Sequence, residues 1–279
     1  MIRVAEHVAR TDTGHQRATN EDSHLERAPI FVVADGMGGA QAGEVASQVA
    51  ISHFSEELAA TAEDGDGAAD RLLRAAHDAN AEIHALAEAD ARRAGMGTTL
   101  TAAYVEGDEV VFVHVGDSRA YRLRQGVLER ITEDHSLVEE LLRQGRLTEA
   151  EAEEHPQRSI ITRALGPEPE VDVDTFTVDA LPGDVYLLCS DGLTSMVGET
   201  AIEAILRSAT SLDRAADELV RAALAAGGRD NVTVLLFSLE EVGAYVDAPT
   251  EPSPLAAPLA PERAPEGEPE PAHRVRRPR

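Results

Sequence analysis

Four aspartates stand where short apolar runs stop or start. Asp35 follows IFVVA, Asp117 follows VVFVHVG, Asp191 follows VYLLCS, and Asp230 directly precedes NVTVLLF. In antiparallel sheets one strand's end lies beside its neighbour's start, so these carboxylates can meet at one end of a fold. Uncompensated, they would repel one another and push their pKa values up. A divalent cation cluster is the natural compensation, and an oxygen-only donor set selects Mg²⁺ or Mn²⁺ over Zn²⁺. A single Asp-Gly at a strand end is ordinary turn chemistry. Four such acids, three followed by Gly or Ser and one by Asn, form a pattern that turns alone do not require. A cation joins them in TDTGHQRATNEDSH (11–24), where Arg17 lies four and five residues before Glu21 and Asp22. A planar guanidinium can grip two phosphate oxygens at once. Metals with an arginine clamp make a phosphoryl-transfer arrangement, although an arginine such as Arg17, taken alone, is more often a surface ion-pair partner.

The elements that must hold these groups are strands and helices in mixture. IFVVAD (30–35) reads as a buried strand. TLTAAYVEG and DEVVFVHVGD (99–117) read as two strands turning at Gly107-Asp108. SRAYRLRQGVLERI (118–131) repeats that pattern around Gln125-Gly126, and DVYLLCSD (184–191) and NVTVLLFSL (231–239) add two more strands. Residues 41–60 carry Val45, Val49, Phe54 and Leu58 on or near one helical face. Residues 68–93 carry Leu72, Ala76, Ala79, Ile83 and Leu86 at helical spacing. A further helix spans 211–226 and stops at Gly227-Gly228. Ser136 with Glu139, and Thr148 with Glu151, read as capping boxes. Hairpin-like strands beside long helices predict antiparallel sheets covered by helices.

Composition narrows the function. The chain of 279 residues carries 51 acidic against 25 basic side chains, a formal charge of −26, which argues against nucleic acid or an anionic membrane as partner. All the basic side chains are Arg, a bias suggestive of a GC-rich bacterial source. Trp is absent, so base-stacking platforms are not expected. One Cys excludes a disulfide framework. No apolar run approaches the roughly 18 residues of a membrane helix, and no secretory signal is visible; the expectation is a soluble, cytoplasmic protein without membrane insertion. Residues 244–279 hold nine of the 14 prolines and read as a disordered Pro-rich tail ending in AHRVRRPR, leaving 1–243 as one catalytic domain.

Three other chemistries fail on spacing. A Cys-based phosphatase needs Cys-x₅-Arg, but six positions after Cys189 stands Ser195, so Cys189 reads as a core residue. Asp64-Gly65-Asp66-Gly67 lacks the later EF-hand positions, which are Ala68 and Ala69. Asp35-Gly36-Met37-Gly38-Gly39 lacks the Gly-Lys-Ser/Thr of a P-loop.

With these residues assembled, the sequence resembles the metal-dependent Ser/Thr protein phosphatase family of type 2C in its bacterial form, close to actinobacterial phosphatases paired with receptor-type kinases. The motifs follow in that family's order over about residues 2–240. They are Arg17-x-x-x-Glu21-Asp22, Asp35-Gly36-Met37-Gly38-Gly39, Gly97-Thr98-Thr99, Gly116-Asp117-Ser118-Arg119, His155-Pro156-Gln157-Arg158-Ser159, Cys189-Ser190-Asp191-Gly192 and Arg229-Asp230-Asn231-Val232-Thr233. The resemblance implies an α+β fold, a four-layer α-β-β-α sandwich of two antiparallel sheets flanked by helices. It implies two catalytic Mn²⁺ or Mg²⁺ ions and a third, weaker one. Asp35 would bridge the catalytic pair, Asp191 and Asp230 would complete the first ion's protein ligands, and Glu21 or Asp22 with the Gly36 carbonyl would hold the second. Asp117 with Asp191 would bind the third, with Ser159 as a further contributor to that region or to substrate. Residues 133–166 match a mobile flap. Arg17 would hold the phosphate while a metal-bridging water attacks phosphorus.

The implied substrates are phosphoserine and phosphothreonine proteins, with the enzyme, a monomer, opposing Ser/Thr kinases. Two other readings stay open: a partner-switching phosphatase for an anti-sigma antagonist, and a non-enzymatic regulatory module on the same fold. The intact acids and Arg17 argue against the last. The general acid is unassigned, because Met37 and Ala40 stand where some relatives carry His. His15, His24 and His135 read as surface or structural residues.

Overall fold

Eleven strands form among the described residues: β1 (Ile2–Asp12), β2 (Asp22–Arg27), β3 (Ile30–Met37), β4 (Gly97–Thr98), β5 (Leu100–Glu106), β6 (Glu109–Val115), β7 (Arg119–Arg124), β8 (Val127–Arg130), β9 (Asp174–Asp179), β10 (Val185–Cys189) and β11 (Val232–Glu241). The helices include α1 (Ala42–Ala59), α2 (Ala68–Ala89), α3 (Leu137–Arg143), α4 (Asp191–Thr194), α5 (Glu199–Ser208) and α6 (Leu212–Ala225). This computed structural model describes residues 1–38, 42–59, 67–148, 151–152 and 155–242. The Pro-rich segment 244–279, residues 61–66, Gly39 and Ala40 lie outside the described residues, as does the side chain of Leu58.

One sheet runs in the order β1-β11-β10-β7-β8, the other β2-β3-β5-β6-β9, with β4 paired to β3. The pairings are antiparallel. Three apolar cores separate four layers. Between the sheets, Phe31, Phe112, Tyr186 and Phe237 are fully buried, and the Phe31 and Phe237 rings stack at 4.3 Å. A second core lies under α1 and α2, with Phe54, Leu72 and Ile83 against Val32 and Val113. A third lies under α4, α5 and α6, where Leu193, Ile202 and Leu219 meet Leu187 and Leu236. The α-β-β-α sandwich implied by the family resemblance is therefore the observed fold. Central strands such as β3 and β6 bury both faces, which is why their sequences are near-continuous apolar runs rather than alternations.

The two tight hairpins form where expected. Gly107 takes φ +61° between β5 and β6, and Gln125 and Gly126 take φ +53° and +79° between β7 and β8, a geometry that suits the twist of the flanking strands. Several details differ from the sequence reading. Strands β1, β2 and β9 were not expected. All three are sheet edges, and their polar, half-exposed residues give little apolar signal. The face that α1 buries is Ala42, Ala46, Ala50 and Phe54, while Val45 and Val49 are only half-buried beside the same core. Helix α2 ends at Ala89 rather than 93, because Asp90 accepts from the Arg92 N–H and starts a separate 3-10 turn over Ala91–Arg93.

Candidate active site

The β2–β3 pair sets the first two carboxylates opposite one another, with Asp22 in register with Asp35. Asp35 lies inside β3, two residues before its end, rather than at the strand terminus. Its backbone is held on three sides. The Asp35 N–H donates to Thr99 Oγ1 at 2.9 Å, and its carbonyl accepts from the Thr99 N–H at 2.9 Å and from Thr98 Oγ1 at 3.0 Å. Thr99 Oγ1 also meets Ser118 Oγ at 2.8 Å, which ties this strand to the turn carrying Asp117.

The other sheet delivers Asp191 and Asp230. Asp191 opens α4 directly after β10, and Asp230 lies just before β11. A Cβ on Gly192 would stand 1.9 Å from the Asn231 carbonyl oxygen, so only glycine lets the start of α4 pass beside the Asp230 loop. Asp22 joins the two sheets: its Oδ2 accepts from Ser190 Oγ at 2.8 Å and from Thr233 Oγ1 at 2.7 Å. Asn231 organises the loop that carries Arg17. Its Oδ1 accepts from the Glu21 N–H at 2.8 Å, and its Nδ2 donates to the Thr13 and Thr19 carbonyls, both at 2.9 Å. The roles of Asn231, Ser190, Thr233 and Thr99 were not read from sequence; they were visible only as members of motifs.

The carboxylates perturb one another as their convergence predicts. Burial pushes Asp35 well above the ordinary carboxylate range, and Asp22, Asp191, Asp117 and Asp230 push it further. Asp191 is raised likewise, by burial and then by Asp117, Asp230 and Asp22, against the opposing charge of Arg17. Burial raises Asp22 to about 6 against hydrogen bonds from Thr233 and Ser190 that favour its charged form. Burial and Asp134 raise Asp117 to about 6. Glu21 is raised by burial, with Arg17 opposing.

The groups gather without closing. Among the described residues, no three acidic, histidine or cysteine side chains form a ready cation cage. Asp22 instead gives one oxygen to two hydroxyls, and Asp230 Oδ2 accepts from Arg17 Nη2 at 2.7 Å. Arg17 therefore contacts Asp230, 213 residues away in the chain. Yet Asp22 Oδ1 and Asp117 Oδ1 are buried without a hydrogen-bond partner. Two orphaned anionic oxygens in an acidic, all-oxygen cluster fit hard divalent cations such as Mn²⁺ or Mg²⁺.

Other residues fall elsewhere. Ser159 is exposed, in the run 156–160, with no hydrogen bond to the carboxylates among the described residues. In the 133–166 segment, Ser136 Oγ caps α3 by accepting from the Glu139 N–H, and Thr148 and Glu151 exchange bonds as a capping box does. Cys189 is fully buried, and burial pushes its thiol up to about 12, so it offers no nucleophile.

A pH dependence follows. A carboxyl whose folded-state pKa exceeds its unfolded value destabilises the fold in its charged form, and this penalty grows as pH rises through the window from an ordinary aspartate value to about 6. In EDTA the protein should melt at a higher temperature near pH 5 than near pH 8, and saturating Mn²⁺ should reverse that order, because protons compete with the cation. The Asp22→Asn, Asp117→Asn double variant should flatten the EDTA trend. Thermal melts showing stability in EDTA rising from pH 5 to 8 would contradict the placement of these charges.

Comparison with known proteins gives the site its context. The sequence profile described as Protein phosphatase 2C matches residues 11–227, stopping just short of Asp230. The serine/threonine phosphatase stp of Listeria monocytogenes is 46% identical over 237 residues, covering 81% of this chain and 93% of its own. The serine/threonine protein phosphatase PstP of Mycobacterium tuberculosis is 44% identical over 237 residues, 84% of this chain and 45% of the longer relative. A crystal structure of M. tuberculosis PstP/Ppp superposes with a TM-score of 0.81 at 43% identity, covering 85% of this chain and 100% of that one. A crystal structure of the catalytic domain of PstP in complex with two manganese ions gives 0.78 at 39% identity, covering 86% and 100%. With its fold, its ordered motifs and these relatives in agreement, the chain belongs to the protein phosphatase 2C family and is a serine/threonine protein phosphatase.

Proposed function

We propose that this chain hydrolyses phosphoserine and phosphothreonine in proteins at the carboxylate cluster, using Mn²⁺ or Mg²⁺. The observation that carries this is the pair of orphaned, buried oxygens on Asp22 and Asp117 inside a set of acids that raise one another's pKa. In this assignment Asp35 would serve both catalytic ions, Asp191 and Asp230 would help hold one of them, and Glu21 or Asp22 with the Gly36 carbonyl would help hold the other. Asp117 with Asp191 would hold a third, weaker ion. When bound, the ions supply Lewis-acid stabilisation of phosphoryl oxygens and lower the pKa of water enough to provide the nucleophile.

The chain's own residues position and neutralise. Arg17, half-exposed and tethered to Asp230 alone among the described carboxylates, exchanges that partner for two phosphoryl oxygens. The move frees Asp230 to bind cation and places the guanidinium fork where transition-state charge lies. Phosphomonoester and water yield alcohol and phosphate. No covalent intermediate is needed, in keeping with the burial of Cys189. Met37 carries no proton, so leaving-group protonation does not come from that position. Ser159 is assigned to substrate contact from the exposed segment, a role its exposure permits.

The same reading places the protein in the cytoplasm as a monomer acting on Ser/Thr kinases and their substrates. In its support, no helix among the described residues is long and apolar enough to cross a membrane. The test is hydrolysis of a phosphothreonine peptide with Mn²⁺, with Mg²⁺ and with EDTA. Turnover should require metal and return when Mn²⁺ is added back. Equal turnover in EDTA would refute the assignment, as would none under any condition from protein shown to be folded.

A further inference from the structure

The turn that carries Asp117 is held from both sides by the root of the 133–166 segment. Before Asp117, Gly116 and His135 exchange two hydrogen bonds: the Gly116 N–H donates to His135 Nδ1 at 3.0 Å, and the His135 N–H donates to the Gly116 carbonyl at 2.8 Å. After Asp117, the Arg119 guanidinium forks onto Asp134, with Nε at 3.0 Å from Oδ1 and Nη2 at 2.7 Å from Oδ2. Asp117, Asp134 and His135 are each only 8% exposed. The segment's returning arm reaches the same histidine. The Thr162 N–H donates to the His135 carbonyl at 2.8 Å, and Ser136 forms a β-bridge with Ile161.

The chemistry of the ring follows from its partners. A backbone N–H can only donate, so Nδ1 is unprotonated and Nε2 carries the hydrogen, which points to Asp174 Oδ2 at 3.1 Å. Asp174 also accepts from Arg163 Nη1 at 2.6 Å, while burial holds the ring's pKa below its ordinary value against the pull of Asp174. His135 thus joins three pieces of chain: the Asp117 turn, the outgoing arm of the segment and its returning arm.

We propose that His135 is a positioning residue that couples the conformation of the 133–166 segment to the presentation of Asp117. A segment held at its root keeps the orphaned Asp117 Oδ1 aimed into the cluster; a displaced segment pulls on Gly116 and withdraws it. The inference rests on the assignment of Asp117 to the weakest cation, and the test separates the two. Mn²⁺ binding would be followed by calorimetry in wild type, His135→Ala, His135→Asn and Asp117→Asn, with amide hydrogen exchange over residues 132–165. His135→Ala should weaken the weakest Mn²⁺ site about tenfold, as loss of a supporting hydrogen bond behind a ligand commonly does. It should leave the two tighter sites unchanged and speed exchange in both arms of the segment. In His135→Asn, Oδ1 can take the place of Nδ1 as acceptor for Gly116, so that variant should recover most of the lost affinity. Asp117→Asn should lose the weak site and keep the exchange pattern of wild type. A His135→Ala isotherm identical to wild type, beside an Asp117→Asn variant that loses the weak ion, would overturn the coupling and leave the metal assignment standing. An Asp117→Asn isotherm unchanged from wild type would overturn the assignment itself. Weakening of all the sites together in both His135 variants would show a merely structural residue and would also overturn the proposal.

Discussion

Asp35→Asn is expected to lower kcat/KM toward a phosphothreonine peptide by at least about 10³-fold, the scale on which removing a central catalytic group acts. The same substitution should raise the melting temperature of the metal-free protein. Asp35 is the carboxylate most surrounded by others, with Asp22, Asp191, Asp117 and Asp230 all opposing its charge. Its backbone is fixed by Thr98 and Thr99, so the amide should keep the same position. An amide cannot bridge two cations as an anionic carboxylate can, yet it removes the repulsion. Loss of activity with a gain in metal-free stability is a combination that misfolding cannot imitate. Steady-state kinetics and melts in EDTA check it; a variant within tenfold of wild-type activity would show that Asp35 does not hold the catalytic ions.

Arg17→Ala should cost about 10²–10³ in kcat, the scale for removing one donor from transition-state charge. Mn²⁺ affinity should not fall. Arg17 pairs with Asp230 at 2.7 Å, so removing it deletes a competitor for that carboxylate rather than a ligand. Arg17→Lys keeps the charge but loses the planar fork and should fall between wild type and Arg17→Ala. Kinetics beside an Mn²⁺ isotherm decide the matter. An affinity loss matching the kinetic loss would make Arg17 part of the metal site and reject its role on phosphate.

Much of the candidate site was legible because the carboxylates that the structure gathers stand where apolar runs of sequence stop or start. Asp35, Asp117, Asp191 and Asp230 stood out where apolar runs broke, and the central strands carried those runs because both of their faces are buried. The hairpins at Gly107 and at Gln125-Gly126 were equally plain, since positive φ restricts the residues that can turn there. The edge strands β1, β2 and β9 were not legible. An edge strand needs only one neighbour and keeps polar side chains, so its pattern resembles a loop.

What the sequence by itself determined was the inventory: which acids, in what order, on what kind of strand. Local patterning is written residue by residue, so it survives being read one residue at a time. Tertiary structure alone decided who pairs with whom. It placed Arg17 on Asp230 across 213 positions, set Asp22 between the hydroxyls of Ser190 and Thr233 on the opposite sheet, and clamped the Asp117 turn to His135. Those contacts follow from sheet order and register, which arise from the packing of three apolar cores and leave no mark at the positions they bring together.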